Sequence, residues 1–194
     1  MTPIPPPVAR GPLLALHCRR GATKQVQNGW EVAVYPPPEG SVSGNRLVDL
    51  SHRGTYEING PETEGLLSTL CGKGPAPRAI HAGVGWEAYR LTPSRAVLFG
   101  GVSAPAAALD VTGGWASLAL SGPDAERILN KVTAVDLRET TLPAGTCCQG
   151  PVFGVNTLFG RFPDRFELHV CSDSAEFFCE VLLDAGREYD LELG

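Results

Sequence analysis

The amino-acid sequence predicts an α+β fold: two pseudo-repeated strand–turn–helix halves forming antiparallel sheet with helices packed on one side of it. Two observations carry this prediction, a motif that recurs 62 residues later and a strand with strict polar–apolar alternation. The chain has 194 residues, of which 43% are hydrophobic and 19% charged. These values indicate a globular protein, with one domain or two small lobes sharing a core.

The recurring motif predicts how each half begins. Its two copies, Gly60–Leu67 and Gly122–Leu129, share the pattern G-P-[ED]-[TA]-E-x-[LI]-L, and related tripeptides precede them at 49–51 and 110–112. Proline at the start of a helix lacks a donor that would be unpaired there anyway, and acidic residues suit the positive end of the helix dipole. We therefore expect a tight glycine–proline turn followed by a helix in each half.

The clearest strand lies near the end of the chain. Three apolar residues alternate there with three polar ones: Phe166, Leu168 and Val170 with Arg165, Glu167 and His169. Side chains on a strand point to opposite faces in turn, so this pattern predicts a half-buried strand with Glu167 on its exposed face. A last helix is expected from about Asp173, ending near Gly186.

The first 44 residues differ from the rest in composition. Eight of the 17 prolines fall within the first 38 residues, and residues 1–30 contain four basic side chains and no acid. Proline runs favour extended polyproline structure over sheet, so residues 1–44 are expected to form a basic arm lying on an acidic partner surface. An unstructured terminus is the alternative. Residues 45–105 and 106–194 then form the two halves of one domain.

Charge and cysteine content exclude several function classes. The net charge of −5 disfavours nucleic acid or anionic lipid as partners, and the apolar stretches are too short to span a membrane. The six cysteines include no C-x-x-C pair, so neither a metal site nor a redox pair is expected. Without an export signal, the cysteines are expected to be reduced thiols of a cytoplasmic protein.

Two local motifs invite other functions. Asp49, Ser51 and His52 could suggest a hydrolase, but on a strand His52 points away from the other two, so Asp49 or Ser51 is expected to cap backbone instead. Gly83–Ala88 fits G-x-G-x-x-A, a dinucleotide-binding pattern. That site requires the glycine turn to open a helix, and here a strand is expected to follow.

The chain resembles a known superfamily over roughly residues 45–185. The segment Leu47–Gly54, followed by Gly60-Pro61, resembles the amino-terminal signature of the aminomethyltransferase (glycine cleavage T-protein) superfamily. The second half is similar to one branch of it, the gamma subunit of heterotetrameric sarcosine oxidase. Three segments carry that similarity: Ala108–Leu137, Leu142–Cys147 and Asp164–Val170.

The resemblance implies a non-catalytic gamma-like subunit within a flavin-dependent complex of one-carbon metabolism. Such complexes demethylate sarcosine or another N-methyl amine, and larger flavoprotein subunits do the chemistry. The gamma subunit has the fold of the folate-handling region. Flavin, and possibly tetrahydrofolate, would therefore be bound by partner subunits and not by this chain alone. The alternative is a stand-alone tetrahydrofolate-binding protein or aminomethyltransferase relative.

The resemblance also implies that the folate site has been lost. Aminomethyltransferases place a catalytic carboxylate after the first hairpin, where this chain has Val97–Val102 with no acid. The loop that carries a pterin-binding acid in the family is shortened here to Gly160–Arg165. The nearest folate candidates are Asp164 and Glu167. No catalytic residue and no metal ligand is expected.

Overall fold

A computed structural model describes residues 8–27, 29–36, 44–101 and 107–194. In chain order the helices are α1 (Leu14–Arg19), α2 (Thr63–Cys71), α3 (Ala125–Asn130) and α4 (Ala175–Ala185). The strands are β1 (Ala9–Arg10), β2 (Thr23–Gln27), β3 (Trp30–Val34), β4 (Arg46–Asp49), β5 (Thr55–Asn59), β6 (Ile80–Gly83), β7 (Trp86–Thr92), β8 (Arg95–Gly100), β9 (Leu109–Asp110), β10 (Trp115–Ser121), β11 (Thr146–Val152), β12 (Val155–Arg161), β13 (Arg165–Cys171) and β14 (Glu192–Leu193). The fold is α+β, as predicted.

Two sheets of matching topology carry the repeat. One has the strand order β6-β7-β8-β5-β9 and the other β11-β12-β13-β10-β4-β14. In each, the strand before the glycine–proline turn pairs with the last strand of the three-stranded meander that follows the helix. The turns themselves match, since Gly60 and Gly122 have φ of +121° and +117°. A left-handed glycine is needed at both turns because other residues rarely adopt that conformation.

A short strand is exchanged between the two sheets. The strand before the first repeat, β4, pairs with β10 of the second repeat, and β9, before the second repeat, pairs with β5 of the first. The hydrogen bonds around these strands correspond, because Ser51 and Thr112 each bond through their amide to the aspartate two residues earlier. The predicted boundary between residues 105 and 106 therefore does not coincide with a division between the two sheets, because each sheet contains a strand from the other half.

The sheets stack face to face, with helices on both outer sides. Phe166, Leu168 and Val170 of β13 face α3 and α4 in the largest core cluster. Leu67 of α2 packs on Ile58 and Leu98, on the outside of the five-stranded sheet. The expectation of helices on only one side is therefore wrong, because the repeat supplies each sheet with a helix of its own.

The prediction of an extended arm is wrong for residues 8–36. This segment contains α1 and a three-stranded sheet of order β1-β3-β2. Leu13 and Leu16 are buried in the same core cluster as Phe178 of α4. Apolar burial therefore fixes the segment to the domain. The proline clusters at 3–7 and 37–38 lie outside the described residues, and no helix in the described part of the chain is long and apolar enough to cross a membrane.

Candidate functional site

Charged side chains meet between the two stacked sheets. Alternation along β7 and β13 directs Glu87 and Tyr89 of one strand, and Glu167 and His169 of the other, to the facing inner surfaces. Arg165 begins β13, and Arg53 lies in the turn before β5. Burial of so many polar groups is uncommon unless they are paired, so their partners decide what this site can do.

The carboxylate of Glu167 is fully paired with neighbouring side chains. Its side chain is 0% exposed. Arg165 donates to Oε1 from Nε at 2.9 Å and approaches the same oxygen with Nη2 at 2.8 Å. The hydroxyl of Tyr89 donates to Oε2 at 3.1 Å, and Arg53 Nη1 lies 3.6 Å from that oxygen. Both carboxylate oxygens are therefore occupied from within the protein.

Glu87 completes a balanced group of two carboxylates and two guanidinium groups. Arg53 Nη1 donates to Glu87 Oε2 at 3.1 Å, and Arg165 Nη2 lies 3.7 Å from Glu87 Oε1. Burial raises the pKa of Glu87, the charge of Glu167 raises it further, and the two arginines oppose both effects. The two arginines, whose side chains are about a quarter exposed, therefore hold the two neighbouring carboxylates together.

His169 is held neutral beside this group. Its ring stacks on Phe99 with centroids 3.8 Å apart, and Nδ1 shares a 2.8 Å hydrogen bond with the Ser117 hydroxyl. Nε2 finds no hydrogen-bond partner among the described residues and lies 3.8 Å from Glu167 Oε2. Complete burial, followed by the charge of Arg53, lowers the pKa of His169 to about 3. A neutral imidazole shielded in this way has no access to a substrate proton.

The two folate candidates do not form a site together. The side chain of Asp164 is 75% exposed and pairs with Arg165 Nη1 at 3.1 Å, outside the sheets. Glu167 lies inside them, so its expected place on an exposed strand face is wrong. The polar face of β13 is buried because the five-stranded sheet covers it. A pterin would need a free carboxylate edge, and Glu167 has none, so these residues do not fit a folate.

The hydrolase motif has a structural role. Ser51 is buried, and its Oγ accepts a hydrogen bond from the Ser117 amide at 3.1 Å. Asp49 Oδ1 accepts the Ser51 amide at 2.8 Å, and Asp49 Oδ2 lies 3.3 Å from His17 Nε2. Burial lowers the pKa of His52, and the nearby Asp49 partly offsets this. Asp49 and Ser51 therefore bind backbone, which confirms the expected capping role.

The other two motifs also have simple places in the fold. Gly83–Ala88 covers the end of β6, the two-residue turn and the start of β7, and it opens no helix. All six cysteines are free thiols, and burial raises the pKa of both Cys147 and Cys179 to about 12. In the described part of the chain, no group of three or more histidine, cysteine or acidic side chains could hold a metal ion.

Sequence reasoning missed the partners of Glu167. The sequence patterns do not connect Glu167 with its partners Arg53 and Tyr89, although Glu87 and Tyr89 share one face of β7 as Glu167 and His169 share one face of β13. Opposite charges on two strands could have indicated the cluster. They indicate it only once the two strands are known to lie in different sheets and to face each other.

Comparisons with known proteins agree on the family. The family model described as the GCVT N-terminal domain matches residues 95–194, just over half of the chain. An aminomethyltransferase of Anoxybacillus flavithermus is 26% identical over 92% of this chain and 59% of its own length.

Two solved structures share the fold. A chain of heterotetrameric sarcosine oxidase from Corynebacterium sp. U-96 aligns with a TM-score of 0.67 and 16% identity, covering 77% of this chain and 87% of that one. Glycine cleavage system aminomethyltransferase T from Bartonella henselae aligns with a TM-score of 0.67 and 19% identity, covering 96% of this chain. This chain spans 59% of the length of each aminomethyltransferase. The resemblance to the superfamily is thus confirmed, and the chain belongs to the family described by the GCVT N-terminal domain.

Proposed function

We propose that this chain is a non-catalytic, gamma-like subunit of a flavin-dependent complex that oxidatively demethylates sarcosine or another N-methyl amine. Its contribution is assembly and shape, and flavin and tetrahydrofolate are handled by larger partner subunits in the cytoplasm. The proposal goes beyond family membership, which is compatible with both enzymes and structural subunits.

The buried state of Glu167 is the observation that carries the proposal. A ligand cannot contact a side chain that is 0% exposed. Freeing this carboxylate would break its contacts with Arg165 and Tyr89 and leave the buried Tyr89 hydroxyl without its acceptor, which is costly. The inter-sheet space is also filled by aromatic rings, since Tyr89 packs edge-on against Phe99 and Phe162. A cluster of this kind favours a structural role over folate chemistry.

The choice of complex rests on fold likeness. The matched chain in the heterotetrameric sarcosine oxidase is covered to 87%, and it lies in an assembly of several subunits. A subunit that shapes such an assembly requires a stable fold but no reactive group of its own. The free thiols, the neutral His169 and the fully paired Glu167 suit that requirement.

Affinity purification of the tagged chain from its native cell tests the proposal. We expect larger subunits to co-purify and the eluate to show flavin absorbance. A parallel titration adds a reduced folate to the isolated chain while tryptophan fluorescence is recorded. Trp115 packs edge-on against Phe99 at 6.0 Å, so it reports on ligand entering between the sheets. We expect no saturable quenching.

The opposite result favours the alternative function. A colourless chain that purifies alone, and whose fluorescence falls saturably with reduced folate, would be a stand-alone folate-binding relative of the aminomethyltransferases. Loss of that quenching in Trp115→Phe would place the folate between the sheets and contradict the role assigned to Glu167.

A further inference from the structure

An exposed phenylalanine occupies a turn position that favours other residues. Val152 of β11 pairs with Val155 of β12, so Phe153 and Gly154 alone connect the two strands. Their φ angles are +46° and +87°, both in the left-handed region. Two-residue hairpin turns of this kind favour Asn-Gly, because a bulky side chain is strained at positive φ.

The strain at Phe153 is not compensated by burial. Phe153 is 65% exposed, and its backbone amide donates a hydrogen bond of 2.7 Å to the Val132 carbonyl. Strained residues that persist without a packing benefit are concentrated at functional positions. The turn therefore points to a contact outside this chain.

A second element presents an aromatic ring to the same place. Phe177 of α4 is 49% exposed, whereas Phe178 and Leu182 on the inner side of the helix are buried. The rings of Phe153 and Phe177 have their centroids 6.2 Å apart at an angle of 51°. We call this pair the aromatic patch. Exposed aromatic pairs of this kind are typical of binding anchors, which usually fill pockets on a partner.

Acidic side chains flank the aromatic patch on the α4 side. Glu180 and Asp184 follow Phe177 by three and seven residues, so they share its helix face, and the exposed Asp173 lies just before the helix. Asp184 pairs with Arg187. Among the described residues, Asp173 and Glu180 form no ion pair, although Arg20 and Arg187 line the same surface pocket as Glu180. A complementary surface must therefore be apolar at its centre and basic at its rim.

The charges also decide between possible occupants. Two copies of this chain meeting through the patch would bring Asp173 and Glu180 of one copy near those of the other. Each copy has a net charge of −5, which adds to that repulsion. A different chain with lysine or arginine around an apolar pocket avoids this cost.

We propose that the aromatic patch docks into an apolar, basic-rimmed pocket on the flavin-bearing subunit of the complex. This inference rests on the proposed function and adds the surface by which assembly occurs. Phe153 and Phe177 are the anchors, and Asp173 and Glu180 pair with the rim. The turn conformation of Phe153 is retained because it holds the ring out from the fold.

The decisive variant is Phe153→Asn, because asparagine suits the turn and should leave folding intact. We expect its thermal midpoint to equal or exceed that of the wild type, while its affinity for the flavoprotein subunit falls at least about tenfold. Phe177→Ser should have a similar effect on affinity. Val84→Ser is the control, since Val84 is 100% exposed in the distant β6–β7 turn. Affinity and flavin per chain are measured on complexes assembled from the full-length chain and purified flavoprotein subunit.

The outcomes separate the two proposals. Loss of binding in both phenylalanine variants but not in Val84→Ser supports the docking surface. Equal binding by all variants overturns this inference and leaves the proposed function in place. Absence of any flavoprotein with the wild-type chain overturns the proposed function and the docking surface with it. Concentration-dependent dimerisation of the isolated chain that Phe153→Asn abolishes would assign the patch to a second copy and overturn the inference.

Discussion

Glu167 is a buried charge whose position depends on its partners. Replacing it with glutamine keeps the shape of the side chain but removes its charge, which leaves Arg53 paired with Glu87, and Arg165 with Glu87 and the exposed Asp164. We expect Glu167→Gln to lower the free energy of unfolding by about 1.5–3 kcal/mol, the usual effect of losing buried hydrogen bonds to a charged group. Urea denaturation measures this loss.

Asp164 provides the matched control for Glu167. It contacts the same arginine, but its side chain is 75% exposed. Surface ion pairs contribute little because water screens them, so Asp164→Asn should change the free energy of unfolding by less than about 1 kcal/mol. Similar losses in the two variants would contradict the structural role assigned to Glu167, because burial would then make no difference.

The burial of His169 should make the stability of the protein depend on pH. Its pKa is about 3 in the folded protein against 6.5 for an ordinary histidine. Below pH 6.5 the unfolded chain binds a proton that the folded chain does not bind, so stability is full above that pH and falls as the pH drops towards 3. The loss approaches about 1.4 kcal/mol per pH unit.

The contribution of His169 is isolated by comparing how the free energy of unfolding changes with pH in the wild type and in a variant. Burial raises the pKa of Glu87, which acts in the opposite sense, but that group is shared by the wild type and His169→Gln. We expect the variant to be less stable at pH 7. Between pH 6 and 4, the slope of its unfolding free energy against pH should be smaller than that of the wild type by the contribution of about one proton. An NMR signal of His169 that titrates near pH 6.5 would contradict the prediction.

At the scale of elements, short sequence patterns correctly predicted the turns and strands that depend on neighbouring residues. The paired glycine–proline turns form as expected, with matching 3.3 Å backbone contacts from Thr63 to Gly60 and from Ala125 to Gly122. The alternation along β13 correctly placed Phe166 in the core. It could not show what covers Glu167, because a period of two identifies an apolar face and says nothing about the layer opposite the polar one.

The structure of the N-terminal segment could not be predicted from local sequence patterns. Its strands are two to five residues long, and α1 has six residues, too few to show a period. Proline content dominated the prediction for residues 1–44, whereas Leu13 and Leu16 decide the structure of the described part by packing on distant residues. Short elements held by tertiary contacts leave little trace in the sequence.

Truncation of one leucine tests whether this segment belongs to the cooperative fold. Leu16 is 2% exposed, so Leu16→Ala should lower the free energy of unfolding by about 2–5 kcal/mol. Val26→Ala is the control, because Val26 on β2 is 58% exposed and should change it by less than about 0.5 kcal/mol. An unchanged denaturation curve for Leu16→Ala would mean that the segment folds apart from the domain.

At the scale of the whole molecule, the exchanged strands join the repeats into one unit. β4 and β9 each leave their own half and complete the other sheet. Neither sheet is then complete without residues from both halves, so the two should unfold together. The charged cluster lies between them, and its geometry depends on the separation of the sheets.

Gly160 sets part of that separation. It lies on β12, and a Cβ built there would be 2.5 Å from both Cε1 and Oη of Tyr89. Tyr89 is fully buried against Phe99 and hydrogen-bonded to Glu167, so it has little room to move. We expect Gly160→Ala to lower the free energy of unfolding by about 1–3 kcal/mol, the range typical of overpacking.

Gly65 is the matched control for this last prediction. It lies in α2, a Cβ there would meet nothing within 4 Å, and alanine favours a helix, so Gly65→Ala should raise the free energy of unfolding by up to about 1 kcal/mol. Chemical denaturation of the two variants gives opposite signs if the sheets are held at a fixed distance. A neutral Gly160→Ala would mean that the sheets part readily, and the inter-sheet space would then be open to a ligand such as folate. The same result would weaken the structural role proposed for Glu167, because a carboxylate in a space that opens is no longer closed to solvent.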